Sequence, residues 1–169
     1  MSTCEAAAGD FDTCFRDLFP RVARTAALVS RDPDLGPDIA QEAFARLYDR
    51  WDRIESVEHA RNFAFRVAVN LARSHLRRRL AVPFGLRGPD RPQADATASS
   101  DAWLVVVHAL GVLSPRQRAC VVLVDYADLD AATAGAALGM AEATVRVYLM
   151  RGRRALRAKL STTDQEVEP

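Results

Sequence analysis

Apolar residues recur at helical spacing through most of this chain, and nowhere do they alternate as they would in a strand. Phe11, Phe15, Leu18, Phe19, Val22, Ala26 and Val29 step by three and four residues and predict a first helix. Asp10 stands where a cap would start it, and Pro20 predicts a kink or break inside the run. After Pro37, Asp38 and Gln41 have the spacing of a capping box. Ala40, Ala43, Phe44, Leu47, Tyr48 and Trp51 then make one face of a second helix that reaches about residue 51. A polar connection from Asp52 to His59, with His59 as a loop residue, leads to a third helix over about 60–80. Its stripe is Phe63 or Ala64, Val67, Ala68, Leu71 and Leu76, and it ends in Arg77-Arg78-Arg79.

Residues 81–101, AVPFGLRGPDRPQADATASSD, show no period, and Pro83, Gly85, Gly88 and Pro89 punctuate their first half. They read as a flexible interdomain linker. A last set of helices begins near Asp101. Within it Leu113-Ser114-Pro115 starts a helix, with Ser114 as N-cap and Pro115 at the first helical position. A short Ala-rich helix follows from Asp130, and Gly139 sits where its end needs a left-handed residue. A second amphipathic run starts at about Glu142 and is rich in arginine. Two short helices joined by a tight turn form a helix-turn-helix, which points to DNA. The pattern therefore predicts an all-α chain of two small helical domains. The expected boundaries are a disordered N-terminus over 1–9, a first domain over 10–80, the linker, a second domain over 102–160 and a disordered acidic tail over 161–169.

Net charge is only +1 over 169 residues, which on its own argues against a nucleic-acid partner. Its distribution reverses that reading. Residues 1–60 sum to −5, 61–80 to +6, 81–140 to −2, 141–160 to +5 and 161–169 to −3. Two compact basic blocks thus lie in an acidic background, and phosphate binding needs local rather than global positive charge. Solvated helix faces would give the same blocks, though not so readily at the ends of two separate helices. No run is apolar enough for a membrane span, and the acids among the first residues do not suit a signal peptide, so no membrane insertion and a cytoplasmic location are expected. Cys4, Cys14 and Cys120 lack metal-ligand spacing, and Cys120 reads as a small buried hydrophobe. His59, His75 and His108 are scattered, and no phosphate loop or nucleophile motif is present. Neither an enzyme, nor a cofactor, nor a metal site is expected.

DIAQEAFARLYDRW, RNFAFRVAVNLARSHLRRR and LSPRQRACVVLVDYADL…ALGMAEATVRVYLMRGRRALR, in this order and with this linker, resemble the extracytoplasmic-function (group 4) sigma factors of the sigma-70 family. The resemblance covers about residues 10–80 and 102–160. It implies a subunit that joins core RNA polymerase and directs promoter-specific initiation by recognising −10 and −35 elements. Asp38, Gln41, Glu42 and Tyr48 fall on the helix that binds the clamp helices of the β′ subunit, although Asp38 could be no more than a cap. His59, Arg61, Asn62, Phe63, Arg66, Asn70, Arg73 and Arg77 match the melting and −10 region. There an aromatic or amide-lined pocket beside a basic track would capture a single strand, while a satisfied core amide is the other reading of Asn70.

In the second module Val145, Leu149, Leu156 and Leu160 form the expected buried stripe of the recognition helix. Thr144, Arg146, Val147, Tyr148 and Arg151 are left to face base edges of the −35 element. Arg153, Arg154 and Arg157 would meet phosphates. The resemblance further implies an anti-sigma factor as regulatory partner. Departures from the family pattern are concentrated in this module. Tyr148 and Met150 replace basic and imidazole residues, Ala141 a serine cap, Ala134 a larger aliphatic and Gly135 an alanine. Gly152 falls inside the recognition helix, where glycine costs about 1 kcal/mol relative to alanine. In the first module Phe63 stands for a tryptophan and Val69 for an arginine. These changes predict a second module less stable than the family norm. Two other readings stand beside this one: a helix-turn-helix regulator of the LuxR type, and a sigma-like protein that binds polymerase or an anti-sigma factor without initiating.

Overall fold

The computed structural model describes residues 10–81 and 101–165. The expected disordered N-terminus, nearly all of the linker and the end of the tail lie outside the described residues. Every regular element among the described residues is helical, and none is a strand. In the first module they are α1 (Phe11–Ser30), α2 (Leu35–Tyr48), a short 3-10 turn (Trp51–Arg53) and α3 (Val57–Ala81). The second module has α4 (Asp101–Ala109), α5 (Pro115–Val121), α6 (Ala131–Leu138) and α7 (Glu142–Gln165). A single π-helical turn, Val122–Tyr126, extends α5.

Helices α1, α2 and α3 pack on one another around Val22, Ala26, Ile39, Phe44, Leu47, Phe65 and Val69, all essentially buried. One end of this bundle is aromatic. Phe11 meets Phe44, Tyr48 and Trp51 edge-on, and Phe15 and Phe19 continue the cluster. Pro20 does not break α1; the helix passes through it. Proline removes one backbone donor there, and Pro20 is on the exposed side, so the cost falls where water can satisfy the carbonyl left over. Asp10 occupies the N-cap position without a side-chain cap bond.

The predicted capping box at Asp38 is replaced by a different device. Helix α2 starts at Leu35, so Asp38 and Gln41 are already inside it. Asp34 takes the N-cap position without a side-chain cap bond, and Asp32, two residues before it, accepts at Oδ1 from the amides of Asp34 and Leu35. Pro37 is tolerated because first-turn amides have no helical partner to lose. The helix also stops at Tyr48 rather than at residue 51. Helix α3 begins at Val57, which places His59 in its first turn and not in a loop. His59 is held by its own amide donating to Ser56 Oγ and by its Nδ1 accepting from the amide of Glu55.

In the second module the local reading of the sequence holds. Ser114 and Gln117 form a complete capping box at α5, Asp130 accepts from the amide of Thr133 at α6, and Gly139 ends α6 at φ 66°. Cys120 is buried in α5. Helix α7 runs beyond the expected domain end at residue 160 to Gln165, so the first part of the predicted disordered tail is helical. No glycine or proline interrupts it there, and Ser161 Oγ donates to the carbonyl of Arg157.

The two modules touch. Arg24 lies over the ring of Trp103, and α3 packs on α6. Arg118, 4% exposed, donates to the carbonyls of Leu110 and Leu113 in its own module and of Val29 at the end of α1. Burial, and then the charge of Arg31, pulls its pKa down to about 10. A charge this enclosed is tolerated because three oxygens, two of them next to helix ends, point at it.

Candidate nucleic-acid interface

Helix α7 is amphipathic because Val145, Leu149, Gly152 and Leu156 return at three- and four-residue steps to the side packed on α5 and α6. Val145 and Leu149 are buried, Leu156 is half-buried, and Leu160 is exposed at 48%, so the predicted stripe ends one turn early. Gly152 takes a place on that stripe. A Cβ there would lie 2.8 Å from Cγ2 of Val121, and a Cβ at Gly135 would lie 2.6 Å from the carbonyl oxygen of Met140. Gly152 lets α7 approach α5 closely, and Gly135 lets α6 approach the turn that precedes α7. At both positions the glycine stands where packing leaves no room for a Cβ.

The opposite side of α7 is open. Thr144, Arg146, Val147, Arg151, Arg153, Arg154 and Arg157 are all exposed. Arg146 reaches back one turn to Glu142. Arg153 is paired through two nitrogens with the carboxylate of Asp125, which raises its pKa by hydrogen bonding and charge. Tyr148 is half-buried against the core, and its hydroxyl accepts from Arg116 on α5 at 3.4 Å. Arg116 and Asp125 were not legible as part of this surface, because each joins it from another helix without any fixed spacing.

On α3 the arrangement is different. Phe63 is only 7% exposed, and the guanidinium groups of Arg50 and Arg66 lie 5.7 and 5.3 Å from its ring centre. The ring thus supports two cations and is not itself laid open for stacking. Next to it a groove of about 260 Å³ is lined by Arg46 from α2 and by Arg66, Val67, Asn70, Leu71 and Ser74 from α3. His59, Arg66, Asn70 and Arg77 are exposed, while Arg61, Asn62 and Arg73 are half-buried. Three of these side chains reach the second module. Arg61 Nη2 donates to the carbonyls of Ala127 and Asp128, Asn70 Nδ2 to Ala137, and an Arg73 nitrogen to Leu138. Asn70 is therefore not a core amide. Val69 is wholly buried, so an arginine would not fit that position.

A third surface lies on α2, where Asp38, Gln41, Glu42 and Tyr48 are all exposed, Tyr48 at 64%. Glu42 pairs with Arg46 one turn on. No group of histidine, cysteine or carboxylate side chains able to hold a metal ion occurs among the described residues.

Comparison with known proteins yields two family matches. Residues 14–81 match the model for Sigma-70 region 2, and residues 104–156 match that for Sigma-70, region 4. The RNA polymerase sigma-E factor of Streptomyces coelicolor is 32% identical over 156 residues, covering 92% of this chain and 88% of the relative. The ECF RNA polymerase sigma factor SigM of Mycobacterium tuberculosis is 32% identical over 149 residues, covering 86% and 76%. Among solved structures, the sigma factor RpoE of Bartonella quintana, bound to the anti-sigma factor NepR, superposes with a TM-score of 0.71 at 22% identity, covering 90% of this chain and 97% of that one. CnrH in complex with the cytosolic domain of CnrY gives 0.67 at 21% identity, covering 90% and 88%.

Proposed function

Because this chain belongs to the extracytoplasmic-function branch of the sigma-70 family, we propose that it binds core RNA polymerase and directs initiation at promoters with −10 and −35 elements of its own. The observation that carries this reading is the separation of three charged or polar surfaces onto three helices of one chain. The exposed side of α7 suits a major groove: Thr144, Arg146, Val147 and Arg151 for base edges, Arg154 and Arg157 for phosphates. Tyr148 joins the base-reading set through its hydroxyl, oriented by Arg116. Arg153 reaches phosphate by exchanging Asp125 for it.

The donors of α3, from His59 and Arg61 to Arg77, supply a basic and amide track for an unpaired strand. In that track Asn62 and Phe63 underlie the surface and Arg66, Asn70 and Arg73 face it. Asp38, Gln41, Glu42 and Tyr48 offer polymerase an acidic, part-aromatic face for the clamp helices of its β′ subunit. Nucleotide addition belongs to that polymerase, in the cytoplasm. No described helix is long and apolar enough to cross a membrane. The solved relatives bound to anti-sigma factors favour a partner of the same kind here. The region 2 match leaves no place for a LuxR-type sensing domain over residues 14–81.

Transcription with purified core polymerase on genomic fragments tests the reading. Discrete run-off products that require this chain are expected. Stable binding to core without any promoter-specific product would assign the chain to the sigma-like proteins that bind without initiating.

A further inference from the structure

Helix α7 turns an apolar strip, rather than its arginines, straight outward. Buried Val145, Leu149 and Gly152 and half-buried Leu156 fix its inner side. At about 3.6 residues per turn, Ala143, Val147 and Met150 come round to the opposite side, and all three are exposed. Val147 is 42% exposed and Met150 65%. Arg154 follows at the end of the strip, with Arg146 and Arg153 along one flank and Thr144 and Arg151 along the other. Both guanidiniums of the first flank are already paired, Arg146 with Glu142 and Arg153 with Asp125. Residues 141–160 still sum to +5. An apolar strip in so basic a segment fits a polyanion that carries apolar groups between its phosphates.

We infer that Val147 and Met150 together read the 5-methyl groups of two neighbouring thymines in the upstream element, and that Met150 is a specificity-determining residue of this chain. The inference rests on the proposed docking of α7 in a major groove. Among the base edges in that groove, the thymine methyl is the apolar group that a side chain can cover. Val147 and Met150 are three residues apart, a rise of about 4.5 Å along the helix. Base pairs are stacked about 3.4 Å apart, so the two side chains fall on adjacent steps. Selection works in both directions. A methyl under the strip leaves water, which is favourable. A guanine edge in the same place would lose its water to side chains that return no hydrogen bond. Met150 is also unbranched and polarizable, so it can settle onto a methyl that lies slightly off its axis. The arginines beside the strip hold the helix in the groove, and the strip chooses the sequence.

The experiment uses the full chain, which selects bound duplexes from a pool with a randomised centre. The selected duplex is then remade with deoxyuridine in place of each thymine in turn, a change that removes the methyl and nothing else. Affinities are measured by fluorescence anisotropy for the wild type and for Val147→Ala, Met150→Ala and Met150→Leu, with folding followed by circular dichroism. All three substitutions fall at exposed positions of α7, so the fold should survive them. Two neighbouring thymines, on either strand, are expected in the selected element. Deoxyuridine at each should weaken wild-type binding about fourfold, the effect of burying one methyl. Met150→Ala should abolish that loss at one of the two positions and Val147→Ala at the other, while Met150→Leu keeps it. A selected element without neighbouring thymines would overturn the inference, as would a deoxyuridine loss that persists in both alanine variants. Equal affinity of the wild type for thymine and deoxyuridine would overturn it too and leave the strip to a protein partner. No enriched sequence at all would overturn base reading by α7 itself, and the thymine inference with it.

Discussion

Gly152 carries two opposed effects, and their sizes decide what it does. Alanine would raise the helix propensity of α7 by about 1 kcal/mol. It would also drive a methyl group to 2.8 Å from Cγ2 of Val121, and overpacking of that kind costs about 1–3 kcal/mol. Packing wins, so Gly152→Ala should lower the urea-unfolding free energy by about 1 kcal/mol. A gain in stability would mean that Val121 turns aside freely. Cys120 is a second residue whose surroundings set its chemistry. Burial pushes its thiol up to about 11, against a smaller opposing pull from Arg73. The native state then holds a proton that the unfolded chain releases above its ordinary pKa of 9.0, so stability falls as pH rises between those values. Cys120→Ala should flatten that part of the stability profile, and native Cys120 should resist thiol reagents at pH 8 until the chain is unfolded. An unchanged profile in Cys120→Ala would place the alkaline loss elsewhere.

At the scale of elements, what was legible in the sequence was what a few neighbouring residues decide. Ser114 as N-cap, a helix following from Asp130 and Gly139 at its end are each decided within a few residues, and each was found in place, with Gln117 and Thr133 added as cap partners by the structure. Asp38 and Gln41 have capping-box spacing too, but Asp32 ends up holding the start of α2 through a turn that includes Pro33 and Asp34. Capping-box spacing alone does not tell which turn of the chain begins the helix. The side of α7 that faces outward was legible from its period, whereas the pairing of Arg153 with Asp125 was not, because they lie 28 positions apart. That pairing gives opposite expectations for two variants. Arg154→Ala should remove one phosphate contact and make the salt dependence of duplex binding shallower by about 1. Asp125→Asn frees Arg153 and should make it steeper by a similar amount, with higher affinity at low salt. Titrations at several salt concentrations separate the two; an unchanged slope in Asp125→Asn would turn Arg153 away from DNA.

For the whole molecule the linker composition suggested two modules that move independently, and the contacts between them could not be read from the sequence. They run from arginine and asparagine side chains to backbone carbonyls, and a carbonyl leaves no mark in a sequence. The division of labour was easier to see, because it rests on which helix carries which exposed residues. Gln41 and Glu42 lie on α2, and the residues proposed to face bases lie on α7. The exposed Glu42–Arg46 pair contributes about 0.3–0.5 kcal/mol, so Gln41→Lys with Glu42→Lys should leave the fold intact. The double variant should weaken binding to core polymerase at least tenfold, equivalent to about 1.4 kcal/mol, while duplex binding to the upstream element stays as in the wild type. Arg151→Ala should do the reverse. Surface-immobilised core polymerase and a labelled promoter duplex read the two activities separately. Equal loss of both in either variant would contradict the assignment of these tasks to separate helices, since neither substitution touches the buried core through which one module could disable the other.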